Sequence, residues 1–186
     1  MLKIAIISAS VREGRKSPNV AKYFYNYINE NKLAEPEILD LKEFNFPLFD
    51  ERLMYQKDPS EKAKMFSQKV TEADAVIIVF PEYNSGFPAS LKNVIDLLVK
   101  EWYHKPVGLV SVSAGGFGGV NAMALLQSVL TKIKAVPVAS FPVPKVEENF
   151  DENGTATDKE GTDKRAAAFM KEVIWFAEAF NKMKSA

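Results

Sequence analysis

The sequence predicts a doubly wound α/β fold, and three observations carry that prediction. Short runs rich in Ile and Val, "LKIAIIS" at 2–8 and "AVIIVF" at 75–80 above all, are almost unbroken by polar residues. Strands read this way when helices cover both faces of a parallel sheet. Between such runs lie stretches whose apolar residues recur at helical spacing. Runs and stretches alternate along the chain, so each strand is followed by a crossover helix.

The elements follow in order. After the first strand, Val20, Ala21, Phe24 and Ile28 share one face of a helix over 18–31. Ser17 reads as its cap and Pro18 as its first helical residue. "EILDL" at 37–41 alternates like a more exposed strand, and a polar helix spans 59–73. The strand 75–80 stops at Pro81, and Leu91, Val94, Ile95 and Leu98 make the stripe of a helix over 88–101. "VGLVSVS" at 107–113 is a fourth strand, followed by a helix over 119–134 with Met123, Leu126, Leu130 and Ile133 on one face. "VPVASF" at 136–141 is a fifth strand. The stretch 142–162 reads as a polar, mobile excursion, and Phe169, Val173, Phe176 and Phe180 mark a last helix after "DENGTATDKEGTD". With no repeat and no linker, residues 1–186 read as a single domain.

Composition narrows the function classes. With 47% hydrophobic and 26% charged residues, the chain has the usual globular mix, so disordered and fibrous classes drop out. Basic and acidic side chains balance at 24 each, which points away from nucleic acid and anionic membrane as partners. No cysteine occurs, so disulfides, thiolate chemistry and cysteine metal sites are excluded. His104 is the only histidine and has no sibling metal ligands, so no metal site is expected. The N-terminal apolar run is too short for a signal peptide, and no stretch approaches the roughly 20 apolar residues that span a bilayer. A cytoplasmic protein is the expectation.

In open α/β sheets, ligands bind outside the carboxyl ends of the strands. Three loops there carry chemistry. "SASVREGRKSPN" at 8–19 combines Ser10, Arg12, Ser17 and Asn19 with the start of a helix. Free N–H groups, the helix dipole and a guanidinium together make a trap for a phosphate. Gly14 is its only glycine, so it is neither a Walker loop nor a dinucleotide fingerprint, and a monophosphate suits it best. The second loop, "PEYNSG" at 81–86, leaves the core with a carboxylate, a phenol and an amide. Its backbone N–H groups over Glu82–Asn84 are suited to the acceptor edge of a flat ring. The third, "SAGGFGG" at 113–119, has four glycines in five positions, the mark of positive φ or of close approach of backbone to a ligand. Taken singly, each also reads as an ordinary connector. Three at one sheet edge point to a site. No GxSxG elbow is present, so hydrolase chemistry has no nucleophile motif behind it.

These three stretches, in this order and at these strand ends, resemble the NADPH-dependent FMN reductase family, which includes flavodoxin-like quinone, azo-dye and chromate reductases. "PEYNSGFPASLKNVID" is the most specific of them. The resemblance implies a flavodoxin-like three-layer sandwich with a five-stranded parallel sheet and bound FMN. It implies that Ser10, Arg12, Ser17 and Asn19 hold the FMN phosphate. Pro81, Glu82, Tyr83 and Asn84 would line the ring and ribityl, and Ser113, Gly115 and Gly116 would complete the ring site. The family usually has glycine where this chain has Ala9, and a tryptophan where it has Leu97.

The resemblance also implies the chemistry. NADPH or NADH would pass hydride to N5 of the flavin and leave, and a quinone or similar acceptor would then take two electrons, in a ping-pong cycle with no side chain as acid or base. A homodimer or homotetramer is implied too, with Phe87, Leu97 and Trp102 read as apolar residues in excess of one helix stripe. Two other classes compete. A flavodoxin-like electron carrier would bind FMN without oxidising NAD(P)H, and a non-catalytic phosphate-ligand module would stay colourless with FMN.

Overall fold

The five apolar runs form one parallel sheet in the order β2-β1-β3-β4-β5. A computed structural model describes residues 1–184. The strands are β1 (Lys3–Ser8), β2 (Glu35–Asp40), β3 (Ala75–Pro81), β4 (Pro106–Val112) and β5 (Val136–Val143). The helices are α1 (Ser17–Glu30), α2 (Leu41–Phe44), α3 (Glu61–Glu72), α4 (Ala89–Leu97), α5 (Val120–Lys132), α6 (Val146–Asn149) and α7 (Lys159–Lys184). Ile6 lies beside Ile38 of β2 and Ile77 of β3, and Val79 beside Val110 of β4. This is the flavodoxin-like architecture.

Each face of the sheet has its own core. Ile7, Val76, Ile78 and Leu109 pack under α3, α4 and α5, against Phe66, Leu91, Val94 and Leu126. Ile4, Ile6, Ile77 and Val110 pack under α1 and α7, against Val20, Phe24, Phe169 and Val173. The Phe24 ring meets those of Phe141 and Phe169, each with centroids 5.2 Å away. The chain order reverses between β1, which pairs with β2 on one side, and β3 on the other. That switch point opens a crevice at the carboxyl ends of β1 and β3.

Three expectations need correction. The stretch 142–162 is not a mobile excursion. It holds the end of β5, α6 and a turn in which Asp151 Oδ1 accepts from Asn153 N and Thr155 N. That turn docks on α1, where Lys22 Nζ donates to Glu152 O and Asn26 Nδ2 to Asn153 O. Gly154 (φ +83°) permits the docking, because a Cβ there would lie 2.5 Å from Tyr23 N. The last helix starts inside the polar stretch, because Asp158 Oδ1 accepts from Gly161 N at 2.9 Å and caps it.

The third correction concerns Phe87, Leu97 and Trp102. Helix α4 ends at Leu97, and a 3-10 turn, Lys100–Trp102, follows. Glu101 Oε2 accepts from Val99 N, and the bend turns these residues inward. Trp102 is fully buried, Leu97 is buried, and Phe87 packs on the same core. They are core residues and give no argument for association.

Candidate active site

The three loops converge on one cleft. Ser10, Arg12 and Ser17 of the first loop face Pro81, Glu82 and Tyr83 of the second and Ser113 of the third. Ser10 Oγ and Tyr83 Oη are 2.7 Å apart, and the Arg12 guanidinium lies 5.8 Å from the Tyr83 ring centroid. Val146 and Glu147 of α6 also line the cleft. Sequence reading missed them because α6 sits in the stretch taken for an excursion.

The start of α1 is the most unusual feature of the cleft. Four helices have twelve or more residues: α1, α3, α5 and α7. Ser60 Oγ caps α3 by accepting from Ala63 N, and Asp158 caps α7. Glu82 Oε2 accepts from both Asn121 N and Ala122 N at the start of α5, 3.1 Å each. Of these four, α1 is the one with no side-chain cap among the described residues. The expectation that Ser17 caps it is wrong by one residue. Lys16 is the N-cap, and Ser17 lies within the helix. The Ser17 Oγ is therefore buried at the cleft with no partner among the described residues. An orphaned hydroxyl in such a place costs about 1–3 kcal/mol, which an acceptor bound in the cleft would recover. With the helix dipole behind it, that acceptor is an anion.

The basic residues of the first loop divide by role. Arg15 holds Asp40 bidentately, with Nη2 to Oδ2 at 2.7 Å, and its Nη1 also donates to Ser10 O at 2.6 Å. It fixes the shape of the loop at the cleft wall, with its guanidinium already engaged. Arg12 has no ion pair among the described residues and remains open to a ligand. Asn19 is buried, and its Nδ2 donates to Phe150 O at 3.3 Å, so its amide braces the 144–158 segment and does not face the cleft.

The second loop is a tight hairpin. Tyr83 and Gly86 exchange both backbone hydrogen bonds, at 2.8 and 3.0 Å. Asn84 (φ 50°) and Ser85 (φ 64°) between them are both left-handed, as a two-residue primed turn requires. Glu82 N donates to Val112 O and Tyr83 N to Gly86 O. Of the three N–H groups expected to grip a ring edge, only that of Asn84 lacks a partner among the described residues. Ala9, where glycine is usual, has no positive φ, and its N–H continues the sheet to Val79 O at 2.9 Å. The substitution is accommodated without strain.

The third loop supplies what the second does not. Gly118 (φ +67°) and Gly119 (φ +75°) are the glycines required by backbone angle. A Cβ on Gly115 or Gly116 would meet nothing within 4 Å, and neither residue has a positive φ. The N–H groups of Ala114, Gly115 and Gly116 have no partner among the described residues. These two glycines leave bare backbone beside the cleft, as close approach of a ligand demands. Ser113 Oγ donates to Gly115 O and accepts from Gly118 N, which sets the shape of the loop.

One open helix N-terminus and one bare backbone edge, side by side at the switch point of this sheet, fit a phosphate and a flat ring at the two ends of one ligand. They define a flavodoxin-like mononucleotide-binding protein. The chain belongs to the NADPH-dependent FMN reductase family, whose sequence profile matches residues 2–148. It is 34% identical over 166 residues to the NAD(P)H-dependent FMN reductase LOT6 of Saccharomyces cerevisiae, covering 77% of this chain and 86% of that one. It is 33% identical over 135 residues to an NADPH azoreductase of a Bacillus species, covering 72% and 71%. It is 30% identical over 165 residues to a quinone reductase of Pseudomonas putida, covering 84% and 85%. Among solved structures, the flavoenzyme NAD(P)H:(acceptor) oxidoreductase FerB of Paracoccus denitrificans shares the fold, with a TM-score of 0.78 at 23% identity over 96% of this chain and 98% of that one.

Proposed function

We propose that this protein is an FMN-dependent oxidoreductase that takes hydride from NADPH or NADH and passes two electrons to a quinone or a similarly electron-poor acceptor, such as an azo compound, chromate or free flavin. The observation that carries the reading is the uncapped start of α1 with the orphaned Ser17 hydroxyl beside it. FMN bound in this cleft would supply the redox chemistry of both half-reactions. The hydroxyls of Ser10 and Ser17 and the backbone N–H of Ser17 would bind the phosphate, since Pro18 has no N–H and Asn19 N donates to Lys16 O at 3.1 Å, and Arg12 would add a permanently charged fork. Asn19 supports this loop from behind through Phe150. Pro81, Tyr83 and Asn84 flank the ring and ribityl. The amides of Ala114, Gly115 and Gly116 would serve as preorganised donors to the ring edge. Ser113 holds those amides in place.

Residues 1–186 function as one cytoplasmic domain that associates into a homodimer or homotetramer. Support for association comes from the loop after α2, not from the residues first read that way. Leu48, Met54 and Tyr55 are exposed there, and Asn93 of α4 anchors the loop through Pro47 O and Phe49 N.

The direct test is an absorbance spectrum of the purified protein with FMN, followed anaerobically by NADPH and then by a quinone. Flavin bands that bleach with NADPH and return with the quinone are expected. Bound flavin that NADPH does not bleach would indicate a carrier, and no bound flavin would sink the reading.

A further inference from the structure

Glu82 stands on the ring loop, yet its carboxylate serves another element. Its Oε2 accepts from Asn121 N and Ala122 N, in the first turn of α5. Its backbone N–H donates to Val112 O at 3.2 Å, which carries the pairing of β3 and β4 one step beyond the strands. Gly119, the residue before α5, would place a Cβ 3.4 Å from Glu82 Cβ and 3.1 Å from Ser111 Cβ. Three hydrogen bonds at one residue tie the ring loop to the two ends of the glycine loop, Val112 before it and the first turn of α5 after it.

We propose that Glu82 is a positioning residue: by capping α5 it sets the glycine loop against the ring loop, and so holds the bare amides of 114–116 at the cleft that Tyr83 lines. Its carboxylate is not a ligand of the flavin. It also occupies the positive end of the α5 dipole, so that α1 is the one long helix at this edge with an open N-terminus. The cleft then has a single seat for a phosphate, which suits a mononucleotide. This inference rests on the FMN reading of the cleft.

Two variants separate the cap from the charge. Glu82→Ala removes the acceptor, and Glu82→Gln keeps an amide oxygen that can take the same two N–H groups. FMN affinity, measured by quenching of flavin fluorescence, should fall about tenfold in Glu82→Ala, a loss of the size that a helix cap commands. Glu82→Gln should stay within about threefold of the unsubstituted protein. In the FMN-free protein, hydrogen exchange at Asn121 and Ala122 should quicken about tenfold in Glu82→Ala and not in Glu82→Gln. Unchanged FMN affinity in Glu82→Ala would overturn the positioning role alone. Equal weakening in both variants would assign the effect to charge and overturn it as well. Failure of the unsubstituted protein to bind FMN would instead overturn the functional reading, and this inference with it.

Discussion

Helices α1 and α5 both begin at the carboxyl edge of the sheet, each after a strand that borders the cleft, yet their first turns are treated in opposite ways. At α5 two N–H groups are satisfied by a carboxylate reaching across from another strand. At α1 no side chain among the described residues caps the turn, and a buried hydroxyl beside it has no partner among them. The far edge of the sheet is closed in the same manner as α5, with the opposite sign. There the buried Lys105 donates from Nζ to Thr71 O and Ala73 O, at the end of α3. Of the two helix starts, the chain therefore satisfies one with a carboxylate and leaves the other, which lines the cleft, open to a ligand. The unsatisfied end is the functional signal, because free polar groups cost stability unless a ligand recovers it.

The contrast can be broken most severely at Arg15. Its side chain and that of Asp40 are 16% and 14% exposed, so Arg15→Ala strands a largely buried carboxylate. A loss of about 2–4 kcal/mol is expected in urea unfolding, together with loss of bound FMN. Arg15→Lys should restore little of either, since an ammonium cannot reproduce the bidentate fork.

Arg12→Ala should separate binding from folding. Stability should change by less than about 0.5 kcal/mol, and FMN affinity should fall about 10- to 100-fold, the equivalent of one charge-assisted hydrogen bond. Unchanged affinity in an FMN titration would remove Arg12 from the phosphate site.

At the closed far edge the readout is pH. Burial pushes the Lys105 ammonium from the ordinary lysine value of 10.5 down to about 8. A folded value below the unfolded one means that the unfolded chain binds more protons between about 8 and 10.5. From this group, stability should be flat below pH 8 and rise by about 3 kcal/mol as pH increases through that window. Lys105→Met should abolish the rise, checked by urea midpoints between pH 7 and 10.

The smallest effect carries two opposite signs. Ser17→Ala removes an orphaned hydroxyl, so the FMN-free protein should keep its stability or gain up to about 1 kcal/mol. The same change should weaken FMN severalfold, about 1 kcal/mol of binding. Thermal melts with and without FMN test both, and a destabilised FMN-free protein would show that the hydroxyl has a structural partner.

Much of the fold was legible in the chain because it depends on local periodicity. The buried runs at 2–8 and 75–80 and the stripes of Phe24, Leu91 and Leu126 follow from side-chain alternation and helical spacing alone. So did the three ligand-bearing loops, since strand ends, glycines and a proline stop are local marks. The sequence by itself therefore determined the element order, the faces that are buried and the sheet edge that carries the site. Only the tertiary structure decided which donors there are free. Glu82 meets α5 across 39 positions, and Arg15 meets Asp40 across 25. The Glu82 amide is taken by Val112 O, the amides of 114–116 are left open, and the Asn19 side chain turns to Phe150 O, 131 positions away. No period encodes such contacts. They follow from where the strands end relative to one another, and so a hydrogen-bond donor that looks available in the sequence can be taken by a partner from a distant part of the chain.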